Sequence, residues 1–377
     1  MNHEHNDIRK IVPYGEYIRG FANQKYLSSA ELHGVLKSRG IFSLCAEKEF
    51  TVPLLQVLML SPKEFDRIRE AFSTSEDNEK IISRDVKWAD GVQIYNTNTL
   101  SVEVADFIKK RLPTCTLEQA IRFVQVSNNP NHVQSKFVIR RKDINKSWYE
   151  QTNLFPASIE FINENGGVGR VIIKHTAPET KDLAEHIVNE QIVKYKKHGI
   201  IPVSEQLGKI IFKEFTNEER FNFFFRLTNR LGNDYFNFES IVDLSMKPAE
   251  TTLPVEIKWM EDMNKIVFSG KSLDKKFFIE DAQYHKNLIL WSIDASYTFN
   301  IKGQSGKYTI NFCFPDFALG KGENAEFELN ISSISTTKKI DSRQRKALKS
   351  ELLSEMDKQK SIIFNDFIKE RNKKNGH

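Results

Sequence analysis

The feature that most limits the fold of this chain is a series of short apolar runs in its last third. They occupy residues 255–259, 265–269, 277–279, 288–295, 297–301, 308–314 and 325–331. Glu261-Asp262-Met263-Asn264, Gly303-Gln304-Ser305-Gly306 and Gly320-Lys321-Gly322 fall between several of them and supply residues suited to tight reversals. Short strands punctuated in this way predict an antiparallel sandwich or a curved sheet. The spacing then changes. Over 341–374, Leu348, Leu352, Met356, Gln359, Ile363 and Phe367 step by three and four, with Lys and Arg dominating the other side. That pattern predicts one long, amphipathic, basic helix whose apolar stripe must be buried against its own domain or a partner.

Upstream, 137–139, 157–162 and 171–173 read as strands, with Asn163-Glu164-Asn165-Gly166-Gly167 as the turn between the last two. A helix is predicted over 179–197, its apolar face formed by Leu183, Ile187, Val188, Ile192 and Tyr195. A helical pair at 203–213 and 217–231, ending at Gly232, has an aromatic interior of Phe215, Phe221, Phe224 and Phe225. Nearer the start, Leu32, Val35 and Leu36 share one helix face, and Gly40 is placed to end that helix in a left-handed conformation. A second helix from about Thr51 tolerates Pro53 in its first turn, and a third starts at Ser61-Pro62 with Glu64 behind it. Residues 73–83 read as polar and turn-like, 86–88 and 92–95 as strands, and 102–111 and 116–126 as helices. The expected fold is α+β and multidomain. It has an N-terminal helical region (1–132), an α+β middle domain (133–240), an antiparallel, sandwich-like β domain (241–340) and the terminal helix (341–377).

At 377 residues, 40% hydrophobic and 28% charged, the chain has enough apolar material for more than one core. No apolar run approaches the roughly 18 residues of a membrane span. The first ten residues lack the apolar stretch of a secretory signal, so a cytoplasmic protein is expected. Cys45, Cys115 and Cys313 are scattered and odd in number, which excludes a fully paired disulfide framework and argues against a thiolate metal cluster. A net charge of +5 is too mild to identify a nucleic-acid binder by itself.

The sequence contains no nucleophile elbow, phosphate loop or His-Glu-x-x-His pair. One set of residues could be catalytic: Asp243, followed by Glu256-Ile257-Lys258. An Asp on one strand and Glu-x-Lys on the next is the skeleton of PD-(D/E)xK nucleases, in which two carboxylates hold Mg²⁺ and the Lys orients water. Glu256 and Lys258 would share one side of a strand, as a solvated surface pair also does. Gly166-Gly167-Val168-Gly169-Arg170 does not open a helix and reads as a hairpin turn. The basic run Arg140-Arg141-Lys142, with Trp148 and Tyr149 nearby, is a candidate DNA-backbone patch. No cofactor is expected.

Ser29, Glu31-Leu32, Leu36, Arg39-Gly40-Ile41, Lys48, Leu54, Leu55 and Leu58 together resemble the SAP module, a small helix–extension–helix DNA-binding fold. The resemblance implies that Lys37, Arg39 and Lys48 contact phosphates. A wider pattern, 17–24, 36–42 and 60–65, is similar to the start of accessory proteins in two-gene bacterial anti-phage defence systems, whose companion is a PD-(D/E)xK-type nuclease. It implies a nuclease-type partner protein. The expected function is therefore a DNA-binding accessory or sensor subunit that engages double-stranded DNA and a nuclease, with a second copy of the chain as a further contact and no membrane. The alternatives are an Mg²⁺-dependent nuclease built on Asp243, Glu256 and Lys258, and a scaffold that binds protein alone.

Overall fold

The computed structural model describes residues 12–23, 27, 29–45, 47–76, 78–96, 99–142, 152–163, 168–229, 231, 235–249, 252–318 and 322–375. The chain begins with helices α1 (Glu16–Ala22), α2 (Ser29–Ser38), α3 (Lys48–Gln56) and α4 (Pro62–Glu76). There follow β1 (Lys80–Lys87), α5 (Ala105–Arg111), β2 (Cys115–Leu117), β3 (Val124–Val126), β4 (Asn129–Lys142), β5 (Thr152–Asn163), β6 (Val168–His175) and α6 (Pro178–Lys197). The rest comprises α7 (Asn217–Asn229), β7 (Phe236–Pro248), β8 (Ile266–Ser269), α8 (Phe277–Glu280), β9 (Leu288–Ile301), β10 (Gln304–Cys313), α9 (Pro315–Ala318), β11 (Glu328–Thr336) and α10 (Ser342–Asn375). The protein is thus α+β and multidomain, with an N-terminal helical region, antiparallel sheet and a long terminal helix. Its two compact units are not consecutive in sequence. One is built from Met1–Asn78, Gln93–Ile159 and His175–His198, the other from Glu79–Val92, Glu160–Lys174 and Gly199–His377.

In the first unit, α1–α4 enclose Ile18, Phe21, Leu32, Val35, Leu36, Val52, Leu55, Phe65 and Ile68, all buried. Phe21 and Phe65 meet edge to face at 5.7 Å, an arrangement that suits the ring quadrupoles. The same unit pairs β2 and β3 with β4. Its helix α6 begins at Pro178, and Thr180 Oγ1 accepts the otherwise unpaired N–H groups of Thr176 and Ala177.

In the second unit the strand order is β6-β1-β11-β10-β9-β7-β8. The β9–β10 hairpin turns on Lys302 and Gly303, both with positive φ (47° and 75°), the mirror-image turn whose twist matches the strands. Alternation sends Leu244, Met246, Ile293, Ala295, Tyr297, Ile310 and Phe312 to one face, where they join a core that includes α7 and α10. Phe212, Phe215, Phe223, Phe224, Phe314, Phe327 and Phe367 make the aromatic part of that core. The opposite face carries Ser292, Asp294, Asn311 and Asn330. Of the two arrangements expected for the β region, the structure takes a single sheet covered on one face by helices, and among the described residues no second sheet faces it.

Several local expectations are corrected. Residues 116–126 are not helical: Thr116 and Leu117 pair with Arg140 and Ile139, and Val124 pairs with Gln134. Strand pairing with β4 overrides a weak helical pattern. The strand expected at 255–259 is a 3-10 helix, Val255–Met260, because the buried residues are Ile257 and Met260, three apart, and not alternate ones. Residues 277–279 fall in α8. Over 203–213 there is no α-helix; Gly208 bridges to Asp85 and Ile211 to Glu326. The polar stretch 73–83 contains the end of α4 and the start of β1, and 92–95 forms no strand. Residues 164–167, Gly232, Gly320-Lys321, Trp148 and Tyr149 lie outside the described residues.

The stripe of α10 gives a stability prediction. Leu352 is fully buried and Ile362 on the same helix is exposed. Leu352→Ala should lower unfolding stability by about 2–5 kcal/mol, whereas Ile362→Ala should cost less than about 1 kcal/mol. Denaturant unfolding followed by circular dichroism reads both.

Candidate nucleic-acid interface

The SAP-like stretch is organised by the end of α2. Gly40 has φ of 75°, the left-handed conformation. The Ile41 N–H donates to Leu36 O and the Gly40 N–H to Lys37 O, each at 3.0 Å. This pair of bonds closes the helix as a Schellman motif, with Ile41 packed onto the same core as Leu36. Arg39 is therefore aimed at the start of α4. Its Nε and Nη2 donate to the two oxygens of Glu64 at 2.6 Å, and Nη2 also donates to Met59 O at 2.7 Å. Glu64 in turn caps α4: its Oε2 accepts from the Ser61 N–H and hydroxyl at 2.7 Å, and Ser61 Oγ accepts from the Glu64 N–H. These charge-assisted bonds, Arg39 foremost, push the Glu64 carboxyl down to about 2.

Lys37, two residues before Arg39, is exposed. Lys48 opens α3, is partly buried and faces Glu31 of α2; burial lowers its pKa while Glu31 opposes that shift. The exposed side of the module is also apolar. Phe42, Leu44, Val57 and Met59 are each more than three-quarters exposed, and Phe50 half so. On α3 and the residue that ends it, Phe50, Pro53 and Val57 are spaced i, i+3, i+7, opposite the buried Thr51, Val52 and Leu55. That second stripe was readable from the spacing, but only the fold shows that it is left uncovered.

The basic run on β4 is divided by strand alternation. Arg140 reaches Glu118, with Nε–Oε1 at 2.6 Å and Nη2–Oε2 at 3.0 Å. Arg141 points to the other side, pairs with Glu179 of α6 at 2.9 Å and lies 4.6 Å over the Phe155 ring. Lys142 is exposed. Of the six DNA-contact candidates, three arginines are held by carboxylates, Lys48 faces one, and Lys37 and Lys142 face solvent.

Asp243, Glu256 and Lys258 are not assembled as the nuclease skeleton requires. Asp243 lies on β7, opposite Ser269 of β8 on one side and Asp294 of β9 on the other. Burial raises the Asp294 carboxyl and nearby Asp243 adds to that; hydrogen bonds from Asn311 and Ser332 act against it. Glu256 and Lys258 are exposed on the 3-10 helix. Among the described residues no hydrogen bond or ion pair joins them to Asp243, and no group of three or more His, Cys, Asp or Glu is placed to hold a metal ion. No helix among the described residues is long and apolar enough to cross a membrane.

Residues 16–78 match the family model of the GAPS4b protein N-terminal domain, the region that contains α1–α4 and the Arg39–Glu64 pair. The match fits an accessory protein of an anti-phage defence system. No curated protein matches the chain. Among solved structures, DynU16, a protein in the dynemicin biosynthetic locus, aligns over 77% of this chain and 99% of its own at 8% identity, with a TM-score of 0.16. A likeness that low carries no argument.

Two titrations follow. The depressed Glu64 carboxyl contributes stability that is present above its ordinary value of 4.5 and lost as pH falls toward about 2. Glu64→Gln should therefore lower the melting temperature at pH 7, with the gap from the parent closing over that window. Asp294 has the opposite sign, since its raised pKa makes the ionised form unfavourable in the fold. Asp294→Asn should raise the melting temperature at pH 7, and the gain should shrink as acid protonates the parent. Thermal melts at stepped pH check both.

Proposed function

We propose that this chain is a DNA-contacting, non-catalytic subunit of a bacterial anti-phage defence complex that works beside a nuclease-type partner protein. The observation that carries the reading is the helical module matched at 16–78. The Arg39–Glu64 clamp joins the end of α2 to the start of α4 and leaves Lys37 on the exposed side. The exposed Phe42, Leu44, Val57 and Met59 supply apolar surface that a protein partner would bury, with Glu47 and Glu49 at its margin.

The DNA contact in this reading is electrostatic and modest. Lys37 and Lys142 act as point charges on phosphate. Arg39, Arg140 and Arg141 contribute less, because each would have to leave a carboxylate partner to reach a phosphate. Useful affinity then depends on the assembled complex, where a second protein adds its own contacts.

The test is fluorescence anisotropy of labelled duplex DNA with the full chain at several salt concentrations. Lys37→Glu with Lys142→Glu should weaken binding severalfold and reduce the salt slope by about two. Unchanged affinity would overturn the assigned contacts, and no binding of any duplex would leave a protein-only scaffold. Arg39→Glu is a poor probe, since it also breaks the clamp. The partner is tested by co-purification with the product of the neighbouring gene.

A further inference from the structure

The second unit ends on one side in an open sheet edge. Strand β8 closes the strand order and, among the described residues, pairs only with β7, Ser269 opposite Asp243 through Ile266 opposite Met246. Among the described residues no backbone hydrogen bond satisfies its other side. Exposed apolar groups flank this edge: Val267 is 53% exposed, Trp259 50% and Phe277 49%, with Val255 and Met263 also exposed. Trp259 and Phe277 are joined by a row of rings, of which Phe278 and Tyr284 are buried. Trp259 meets Phe268 at 6.2 Å, Phe268 meets Phe278 at 4.9 Å, Phe278 meets Phe277 at 5.2 Å and Phe277 meets Tyr284 at 5.5 Å.

The charge carried by β8 and the residues after it is one-sided. Lys265 and Lys271 bracket β8, Lys275 and Lys276 follow, and all are exposed without an ion pair among the described residues. Within 264–277 the sole acid is Asp274, whose Oδ1 accepts the Ile241 N–H within the fold. Glu256, Glu261, Asp262 and Glu280 are exposed too, on the 3-10 helix, the turn after it and α8, and not on the strand. Lysines on an edge discourage pairing between two copies of it, since like charges would be brought together. A second copy of this chain is thus a poor occupant, and a carboxylate-bearing strand is a good one.

We infer that the β8 edge is a docking site for an extended acidic segment of a partner protein, added as a further strand. Backbone N–H and C=O groups of β8 pair with the segment. Apolar residues on one of its faces cover Trp259 and the part-exposed Phe268, and acidic residues meet Lys265 and Lys271. Trp259, Phe277 and the lysines could also hold a single nucleic-acid strand by stacking and charge. A phosphate backbone, however, leaves the row of edge amides and carbonyls unmatched, so the peptide is the better fit. This inference does not depend on the proposed DNA contacts, and the two fail separately.

The test is anisotropy with the full chain and a labelled peptide of about eight residues alternating Val and Glu, a typical strand length. Saturable binding is expected. It should weaken by about tenfold or more with Lys265→Glu plus Lys271→Glu, both exposed and so compatible with folding, as circular dichroism would verify. The same peptide N-methylated at alternate residues, which removes donors along one edge, should not bind. No binding of the unmodified peptide, equal binding of the methylated one, or indifference to the charge reversals would each overturn the proposal. Displacement of the peptide by an oligothymidylate strand that binds more tightly, and loses its own affinity on the same reversals, would reassign the edge to nucleic acid.

Discussion

The second unit depends on β1 being held in its sheet, and buried charge does much of that. Arg84 is buried and its Nε and Nη2 donate to both oxygens of Glu326 at 2.7 Å. Next to it, Ser83 donates to Asp357 of α10 at 2.8 Å, and Lys360 bonds both. At the start of the strand, Lys80 lies 3.5 Å from the buried Glu328. Such pairs add little net stability over apolar packing, because desolvation offsets the attraction. Their effect is on register: a one-residue slip of β1 would leave these charges buried and unpaired. Since Glu79–Val92 is contributed to this unit from the middle of the other unit's sequence, that specificity keeps the chain's path defined.

The sheet built on this strand has two unlike faces. One packs its aliphatic and aromatic residues against α7 and α10. On the other, Ser269, Asp243, Asp294, Asn311, Asn330 and Lys80 stand opposite one another in a row across six adjacent strands. Period-two alternation keeps this polar row separate from the core. It also accounts for the raised Asp294 carboxyl, which sits half-covered beside a second acid. Asp243 is thereby part of a transverse polar row, and Glu256 and Lys258 are surface groups on another element.

The N-terminal module shows how folding redistributes charge. Read as sequence, Lys37, Arg39 and Lys48 form one basic cluster. Folded, Arg39 is committed to the α4 cap, Lys48 faces Glu31, and Lys37 is exposed. Beside them, Phe42, Leu44, Phe50, Val57 and Met59 are left uncovered. The family match covers this same module.

What the sequence determined by itself was local. Gly40 as a helix end, the capping spacing of Ser61 and Glu64, the long stripe of α10, helices α6 and α7 and the β9–β10 hairpin all follow from contacts between near neighbours, so their patterns are visible in order. What only the tertiary structure decided depends on residues far apart. Thr116 and Leu117 became strand because β4 lay beside them, and 255–260 became a 3-10 turn because Ile257 and Met260 alone had a core to enter. The same holds for the arginines: Glu64 is 25 residues from Arg39, Glu118 is 22 from Arg140, and Glu179 is 38 from Arg141. A positive side chain is legible in a sequence, but whether it is free to meet a phosphate depends on which carboxylate the fold brings to it.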